Sequence, residues 1–330
     1  MRSSPPRSNP EFLDTNKRVD RMASQIDTAI LFLVFNRPHP TKKVFEAIRK
    51  AKPKRLYVAS DGPRNTKDAE QLKKVLEIAT AVDWPCELKT LSRSSNLGCK
   101  YAVSGGIDWF FECEESGIIL EDDVLPSEGF FEYCQAALEK FRHDPRVGMV
   151  TGQSIESKRN LAIKDLSVKF STYALIWGWA TWRHVWKNYD AELIDWDRQQ
   201  LDFLRNKKNS NVSYVSMWCN IFTDVQSQKI DSWDHQLQYL LLKKNLLCVV
   251  PPYNQIDNLG YGVGATHTTG SRPKWLVAPS DFSFQESLFS EPLQDVAFDL
   301  KVGKEIFGIN ILTKVKHFIK KTIAYLGCSL

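Results

Sequence analysis

Several features that would point to other protein classes are missing from this 330-residue chain. No two of its seven cysteines form a Cys-x-x-Cys pair, which argues against a zinc site built from thiolates. No apolar run approaches the roughly 20 residues that a membrane-spanning helix needs, and the polar first 27 residues do not resemble a signal peptide. The odd number and wide spacing of the cysteines, without a signal peptide, predict free thiols in a reducing cytoplasm.

Strong charge of one sign is missing as well. Lys and Arg total 44 and Asp and Glu total 39, which gives a net charge of +5. This mildly basic balance suits an anionic substrate or a membrane surface but requires neither. Nucleic-acid-binding proteins usually concentrate positive charge more strongly, and we find no motif for nucleic-acid recognition. With 43% hydrophobic and 25% charged residues, the composition is that of a folded globular protein.

What the chain does contain is an alternation of apolar strands and amphipathic helices. Predicted strands cover residues 29–35, 56–59, 87–91, 117–120 and 147–150, and predicted helices cover residues 41–51, 67–81, 101–111 and 130–141. This alternation predicts an α/β fold whose mostly parallel sheet is covered by helices on both faces. The carboxyl ends of parallel strands meet at one edge of the sheet, where ligands bind. The residues expected at this edge are Asn36, Asp61, Arg93 and the triplet Glu121-Asp122-Asp123.

The acidic triplet directly follows the fourth predicted strand. Carboxylates crowded at a strand end repel one another, so a cation is expected among them. Hard oxygen ligands of this kind favour magnesium or manganese. The alternative is a solvated acidic turn without function, but the position at the ligand-binding edge of the sheet favours a functional site.

This arrangement resembles the GT-A glycosyltransferases, whose Asp-x-Asp-type motif ends a central strand. The Glu-Asp-Asp form is similar to that of N-acetylglucosaminyltransferase I. Three further segments resemble bacterial family 2-like glycosyltransferases: Asn96-Leu97-Gly98, Trp177-Gly178-Trp179-Ala180-Thr181-Trp182 and Ser232-Trp233-Asp234. The resemblance covers roughly residues 28–270 and implies a GT-A (Rossmann-like) fold.

The same reasoning predicts three regions. Residues 1–26, rich in Ser, Pro, Arg and Asn, form a disordered leader. Residues 27–280 form the catalytic domain, with a nucleotide-binding half over 27–151 and an acceptor and metal half over 152–280. Residues 281–330 form a C-terminal extension with a basic amphipathic helix over 311–326. This helix either lies on an anionic membrane surface or packs on the catalytic domain.

The resemblance implies a metal site built around the triplet. Asp123 would coordinate Mn²⁺ or Mg²⁺, and Asp122 would hydrogen-bond the donor ribose or reach the metal through water. His267, which follows the glycine-rich segment 260–264, would complete the metal shell, although a lone histidine is usually not a ligand. The ion would stabilise the negative charge that grows on the leaving diphosphate.

Five residues that follow the first three strands are candidates for nucleotide binding. Asn36 ends the first strand, where members of the family hold the nucleotide. Arg37 either pairs with a phosphate, flanks the base or is a surface arginine. Asp61 either accepts a hydrogen bond from uracil N3–H or forms a plain Asx-turn. Arg93 and Asn96 lie either near the nucleotide or in an ordinary helix-entry loop.

A catalytic base is the remaining requirement, because an inverting transfer needs a carboxylate to take the proton of the acceptor hydroxyl. Asp234 is our candidate, with Asp231, Asp224 and His235 as nearby rivals and a helix N-cap as the alternative interpretation of this segment. Trp179 either forms a wall against the donor sugar or belongs to a buried aromatic core.

The sequence therefore predicts a metal-dependent glycosyltransferase that moves a sugar from a nucleoside diphosphate sugar to an acceptor hydroxyl in glycan synthesis. The resemblance implies UDP as the nucleotide and inversion of the anomeric centre. The expected partners are the nucleotide-sugar donor, a glycan or lipid-linked acceptor and, through the C-terminal helix, the inner face of a membrane. A nucleotidyltransferase is the first alternative, but the first strand leads into Phe35-Asn36-Arg37-Pro38 without the glycine-rich loop of that class. A non-catalytic nucleotide-sugar-binding protein is the second alternative, although the acidic triplet is intact.

Overall fold

The computed structural model describes residues 25–157, 167–261, 272–280 and 285–309. The strands are β1 (Ala29–Val34), β2 (Arg55–Ser60), β3 (Glu87–Ser92), β4 (Ser116–Glu121), β5 (Val124–Pro126), β6 (Val147–Thr151), β7 (Lys169–Ser171), β8 (Trp179–Trp182), β9 (Leu247–Val250) and β10 (Ile256–Asn258). The α-helices are α1 (Pro38–Ala51), α2 (Thr66–Ala79), α3 (Gly98–Cys113), α4 (Phe130–Lys140), α5 (Arg183–Trp186), α6 (Asp202–Arg205), α7 (Val212–Gln226), α8 (Asp234–Lys244) and α9 (Val296–Glu305).

Eight of these strands form one twisted sheet in the order β3-β2-β1-β4-β8-β6-β9-β7. Strands β3, β2, β1 and β4 run parallel to one another, and β6 pairs in parallel with β9. Strand β8 runs antiparallel between β4 and β6, and β7 runs antiparallel at the edge beside β9. The predicted mostly parallel sheet is therefore confirmed.

Helices cover both faces because the chain reverses its direction across the sheet. It moves outward from β1 to β3 through α1 and α2, and returns to β4 through α3. Right-handed crossovers in opposite directions place their helices on opposite faces. Helix α3 lies close to the sheet, since a Cβ at Gly106 would be 3.0 Å from Leu33 Cδ2.

The apolar runs become the centre of the core. Every residue of β1 is buried, as expected for a strand with a helix layer on each side. Ile26 is also buried, and its amide donates to the carbonyl of Ala51. The predicted strands and helices of residues 27–151 occur with ends shifted by a few residues.

A second, two-stranded sheet was not predicted. Strands β5 and β10 pair antiparallel, with Asn258 opposite Val124. This pairing brings the chain that follows β10 back over the residues that follow β4. It is therefore the element that closes the candidate site on one side.

Two predicted features lie outside the described residues. These are the leader up to residue 24 and the basic helix over residues 311–326, so the predicted domain boundaries and membrane contact stay predictions. Within the described part of the chain, we find no helix that is long and apolar enough to span a bilayer. The cysteines of the described residues are free thiols.

Candidate active site

The carboxyl ends of β1 and β4 lie side by side at the centre of the sheet, and the acidic triplet follows β4. Leu33 of β1 is in register with Glu121, the last residue of β4. Two residues further along, the Phe35 amide donates to Oδ2 of Asp122 at 3.2 Å. The neighbouring strand thus fixes the orientation of the carboxylate of Asp122, a buried residue.

Arg37 bridges the two aspartates of the triplet. Its Nη1 donates to Oδ2 of Asp123 at 2.7 Å, and its Nη2 donates to Oδ1 of Asp122. The Arg37 side chain is 24% exposed, whereas those of Asp122 and Asp123 are 3% and 13% exposed. The cation that the crowded carboxylates require is therefore, in this structure, the guanidinium of Arg37.

Burial and mutual repulsion both act on the acids of the triplet. Burial raises the pKa of Asp122 to about 6, although the positive charge of Arg37 acts in the opposite direction. Burial, and then the negative charge of Asp123, raise the pKa of Glu121 to about 8. Burial disfavours the charged form of Arg37, but the two aspartates outweigh it and raise its pKa. The charge of Arg37 therefore does not fully offset the burial and mutual repulsion of these acids.

The segment after β10 covers Asp123. The Leu259 amide donates to the carbonyl oxygen of Asp123 at 2.8 Å, and the Gly260 amide donates to Oδ1 of Asn258 at 2.8 Å. A Cβ at Gly260 would lie 2.0 Å from Oδ2 of Asp123. Only glycine can therefore occupy this position while the carboxylate keeps its place.

The acidic pair has the chemistry that a divalent cation needs. Mg²⁺ and Mn²⁺ take hard oxygen ligands, and Mg²⁺ is commonly bound by one or two carboxylates together with substrate phosphates and water. Asp122 and Asp123 fit this description, on condition that Arg37 leaves the two oxygens that it contacts. No group of three potential ligands occurs among the described residues. His267 lies outside them, so its role stays a prediction.

Asp61, at the end of β2, organises the loop that leads into α3. Its carboxylate accepts from the amides of Gly62 (2.8 Å), Leu97 (2.9 Å) and Gly98 (3.1 Å) and from Nδ2 of Asn96 (2.8 Å). The bond to Gly62 is local, but it reaches the next residue, whereas an Asx-turn bonds the amide two residues on. Asp61 and Asn96 are therefore hydrogen-bonded to each other. Their predicted contact with the nucleotide stays a prediction. Gly98 has φ +80°, a conformation that favours glycine.

Asn36 and Arg93 are both engaged by neighbouring helices. Asn36 Nδ2 donates to Oδ1 of Asp68 at 2.7 Å, in the first turn of α2, and Arg64 Nε donates to Oδ2 of the same carboxylate at 2.6 Å. Arg93 Nη1 donates to the carbonyl of Ala102 in α3 at 3.2 Å. Both candidates lie at the predicted edge of the sheet, and each is hydrogen-bonded to a neighbouring helix.

Asp234 is the first residue of α8 and lies across the edge from the triplet. Its side chain is 33% exposed, Ser232 Oγ donates to its Oδ1, and His235 Nδ1 lies 3.6 Å from its Oδ2. Its negative charge contributes to the raised pKa of Glu121. The segment is a helix start, but the N-cap residue Trp233 makes no side-chain cap. Asp234 thus combines solvent access with closeness to the triplet.

The rival acids differ in their surroundings. Burial first, and then the charges of Glu121, Asp234, Asp231 and Asp61, raise the pKa of Cys99 to about 12. These carboxylates therefore share one region around the start of α3. Asp224 is the exception, because it lies near the end of α7 and pairs with Lys229 at 3.4 Å. Asp231 remains the closest rival to Asp234.

Trp179 does not form an open wall against a sugar. Its indole is 1% exposed and stacks on Trp233, with ring centroids 5.6 Å apart and planes at 20°. Because Trp233 directly precedes Asp234, this buried stack fixes the start of α8. The prediction of a sugar-contacting Trp179 is corrected to a packing role, since its position in a strand between β4 and β6 encloses it.

A partly exposed aromatic group near Asp123 was missed. Trp177 stacks on Trp275 with centroids 5.4 Å apart, and Tyr261 meets Trp177 edge to face at 6.1 Å. Tyr261 follows Gly260, and the charge of Asp123 contributes to its raised pKa after burial and against Arg272. The sequence signal for Trp177 was the tryptophan-rich segment; nothing in the sequence marked Trp275 as its neighbour.

Comparisons with known proteins add little to this geometry. No protein-family model matches the chain, and no curated protein matches it. Similar solved structures include S. aureus TarS 1-349 (8% identity, TM-score 0.39, 70% of this chain) and a UDP-glucose pyrophosphorylase complexed with UDP-glucose (9%, 0.37, 70% of this chain and 92% of that chain). An inositol-1-phosphate CTP transferase from T. maritima is another (11%, 0.36, 70% and 88%). The chain spans 59% of the TarS structure. At these scores the likenesses carry no argument about function.

Proposed function

We propose that this protein is a metal-dependent glycosyltransferase that moves a sugar from a nucleoside diphosphate sugar, with UDP as the favoured nucleotide, to an acceptor hydroxyl. One observation carries the proposal. Asp122, Asp123 and Arg37 meet at the carboxyl ends of two central strands, and Asp234 lies within electrostatic range of the same triplet. This is the edge at which sheets of this kind bind ligands.

A nucleoside diphosphate sugar matches the charges of this edge. The diphosphate would interact with the Arg37 guanidinium, whose planar fork suits phosphate oxygens. A divalent cation held by Asp123, with Asp122 beside it, would stabilise the negative charge that grows on the diphosphate as the sugar leaves. The partly exposed rings of Trp177, Trp275 and Tyr261 would offer apolar surface to a sugar ring.

The transfer also needs a proton acceptor. Asp234 would take the proton of the acceptor hydroxyl while that oxygen bonds to the anomeric carbon and the bond from this carbon to the diphosphate oxygen breaks, leaving its electron pair on the diphosphate. The His235 imidazole beside its Oδ2 and the Ser232 hydroxyl at its Oδ1 hold the carboxylate in place. Attack from the face opposite the leaving group would invert the anomeric centre.

The experiment that tests this function compares two reactions on the full-length protein. In the first, a panel of nucleoside diphosphate sugars is supplied with Mn²⁺ and a mixture of simple glycan acceptors, and release of the nucleoside diphosphate is measured. In the second, nucleoside triphosphates are supplied with sugar 1-phosphates, and release of pyrophosphate is measured. The Asp234→Asn variant is the matched control for both reactions.

The proposal predicts nucleoside diphosphate release in the first reaction, with little release by Asp234→Asn. Pyrophosphate release in the second reaction, unaffected by Asp234→Asn, would instead identify a nucleotidyltransferase. No turnover in either reaction, together with binding of a nucleotide sugar, would favour a non-catalytic binding protein.

A further inference from the structure

Arg37 has a fixed backbone and a side chain that can reach solvent. Its carbonyl oxygen accepts from the Thr41 amide at 3.2 Å and from Thr41 Oγ1 at 2.7 Å, which ties it to the first turn of α1. Its guanidinium nevertheless lies at the outer side of the acidic pair, because it is the most exposed of the three charged side chains. The guanidinium can therefore move while the strand end stays in place.

The guanidinium contacts the same carboxylates that a divalent cation would use. It donates hydrogen bonds to Oδ1 of Asp122 and Oδ2 of Asp123, and the Phe35 amide donates to Oδ2 of Asp122. Gly260 closes the side of Asp123 next to Oδ2. A metal ion held by both carboxylates would therefore compete with the guanidinium for these oxygens.

We propose that Arg37 is the internal counter-ion of the acidic pair and competes with the divalent cation, so that the metal binds tightly only when a diphosphate has drawn the guanidinium away. The diphosphate as the attracting ligand rests on the proposed function; the competition between Arg37 and the metal rests on the described contacts alone. Arg37 thereby positions the donor and couples its binding to that of the metal.

Burial of charge favours this coupling. Asp122 is almost fully buried, and an ionised carboxylate that loses its partner in such a place is strongly destabilised. Arg37 can therefore leave the pair only if another cation replaces it or if the carboxyl of Asp122 takes up a proton. The diphosphate, in turn, offers the guanidinium a partner of higher charge and matching geometry. By linkage, the metal then tightens diphosphate binding by the same factor as the diphosphate tightens metal binding, typically about 5–150-fold.

The experiment measures Mn²⁺ binding by calorimetry, with no nucleotide present, on the wild type, Arg37→Ala, Arg37→Lys and Arg49→Ala. Arg49 is the matched control, because it lies on α1, the helix that Arg37 precedes, and pairs with Glu46 and Asp83 away from the acidic pair. We expect Arg37→Ala to bind Mn²⁺ at least about tenfold more tightly than the wild type. Arg37→Lys should lie between them, since one ammonium replaces a bridging fork. Arg49→Ala should match the wild type.

A second measurement titrates UDP in the presence of saturating Mn²⁺. Arg37→Ala should now bind UDP several-fold more weakly than the wild type, because the phosphate partner is gone. Opposite changes in metal and nucleotide affinity are not produced by a merely structural role. If the wild type binds no UDP, the proposed function fails while the metal titration still decides the competition.

Equal or weaker Mn²⁺ binding by Arg37→Ala would overturn the proposal, and so would unchanged UDP binding. Should Arg37→Ala fail to fold without Mn²⁺ and fold when it is added, as followed by circular dichroism, the competition is supported. Should it fail to fold in both conditions, Arg37→Lys decides alone, and Mn²⁺ binding no tighter than that of the wild type would overturn the proposal.

Discussion

At the scale of single residues, the carboxylate of Asp123 has almost no free space on the side of Gly260. A Cβ at this glycine would overlap Oδ2 of Asp123 and lie 3.0 Å from Oδ1 of Asn258. The carboxylate or the covering segment must therefore move in any variant with a side chain here. This makes Gly260 a sensitive probe of the site that involves no change of charge.

We expect Gly260→Ala to weaken Mn²⁺-dependent UDP binding by about tenfold or more, because Asp123 is displaced. The free energy of unfolding should fall by only about 1–3 kcal/mol, as for other overpacked positions. Calorimetry gives the first quantity and urea denaturation the second. Wild-type affinity in a folded Gly260→Ala variant would show that Asp123 does not contribute to the site in the described position.

In the proposed reaction, Asp234 differs from the triplet in that it acts in the chemical step. We expect Asp234→Asn to lower kcat by about 10²–10⁴-fold, the range for loss of a general base, while the affinity for UDP stays close to that of the wild type. Asp231→Asn is the comparison, because Asp231 lies near the same helix start. A large loss of kcat in Asp231→Asn alone would reassign the base.

The residue scale also shows what the sequence could predict. Asp122 and Asp123 follow a buried strand, so strand topology alone placed them at the binding edge. Their engagement by Arg37 needed the actual side-chain geometry, because the two partners are 85 and 86 positions apart in the chain. Trp179 was misassigned because a tryptophan pattern does not reveal which rings are enclosed by neighbouring strands.

At the scale of elements, the start of α2 supports the end of β1. Asn65 caps the helix by accepting from the Asp68 amide at 2.9 Å, and Asp68 in turn accepts from Asn36 and Arg64. The hydrogen bond from Arg64 is the largest cause that lowers the pKa of Asp68 from 3.8 to about 2; burial opposes it, and the bond from Asn36 adds to the lowering. The Asp68 carboxylate therefore connects Asn36, a candidate for nucleotide binding, to the first turn of α2.

The lowered pKa gives the stability of the protein a defined pH dependence. Ionised Asp68 contributes its full stabilisation above about pH 4, and this contribution is lost as the pH falls through about 2. The difference in free energy of unfolding between the wild type and Asp68→Asn should thus shrink over this window, by on the order of 1 kcal/mol after allowance for the half-exposed Arg64.

Denaturant titrations at several pH values measure this difference. Glu70→Gln serves as the control, because Glu70 is an exposed acid on the same helix. A difference between wild type and Asp68→Asn that stays constant from pH 4 to 2 would contradict the described network.

The elements also divide into those that the sequence predicts and those that it does not. The parallel strands of residues 27–151 are five or six residues long, most of them are apolar, and helix-length segments separate them. This alternation can be recognised directly in the sequence. Strand β8 has four residues and inserts antiparallel between β4 and β6. Strands β5 and β10 have three residues each. Such short strands carry too few alternations to be recognised, and their pairing depends on partners distant in sequence.

At the scale of the whole molecule, one sheet edge gathers the residues that the proposed reaction requires. The parallel half supplies Asp122, Asp123 and Arg37, and the later half of the chain supplies Gly260 and Asp234. Neither half alone contains a complete site. The account therefore depends most on whether the acidic pair and a metal together bind a nucleoside diphosphate at this edge.

The most direct measurement is a calorimetric titration of the full-length protein with UDP, with and without Mn²⁺, on the wild type and on Asp123→Asn. The account predicts tight binding only with Mn²⁺ in the wild type, and a loss of about tenfold or more in Asp123→Asn, which keeps the size of the side chain but removes the charge. Equal binding by wild type and Asp123→Asn, or no binding of UDP or any other nucleoside diphosphate by the wild type, would contradict it.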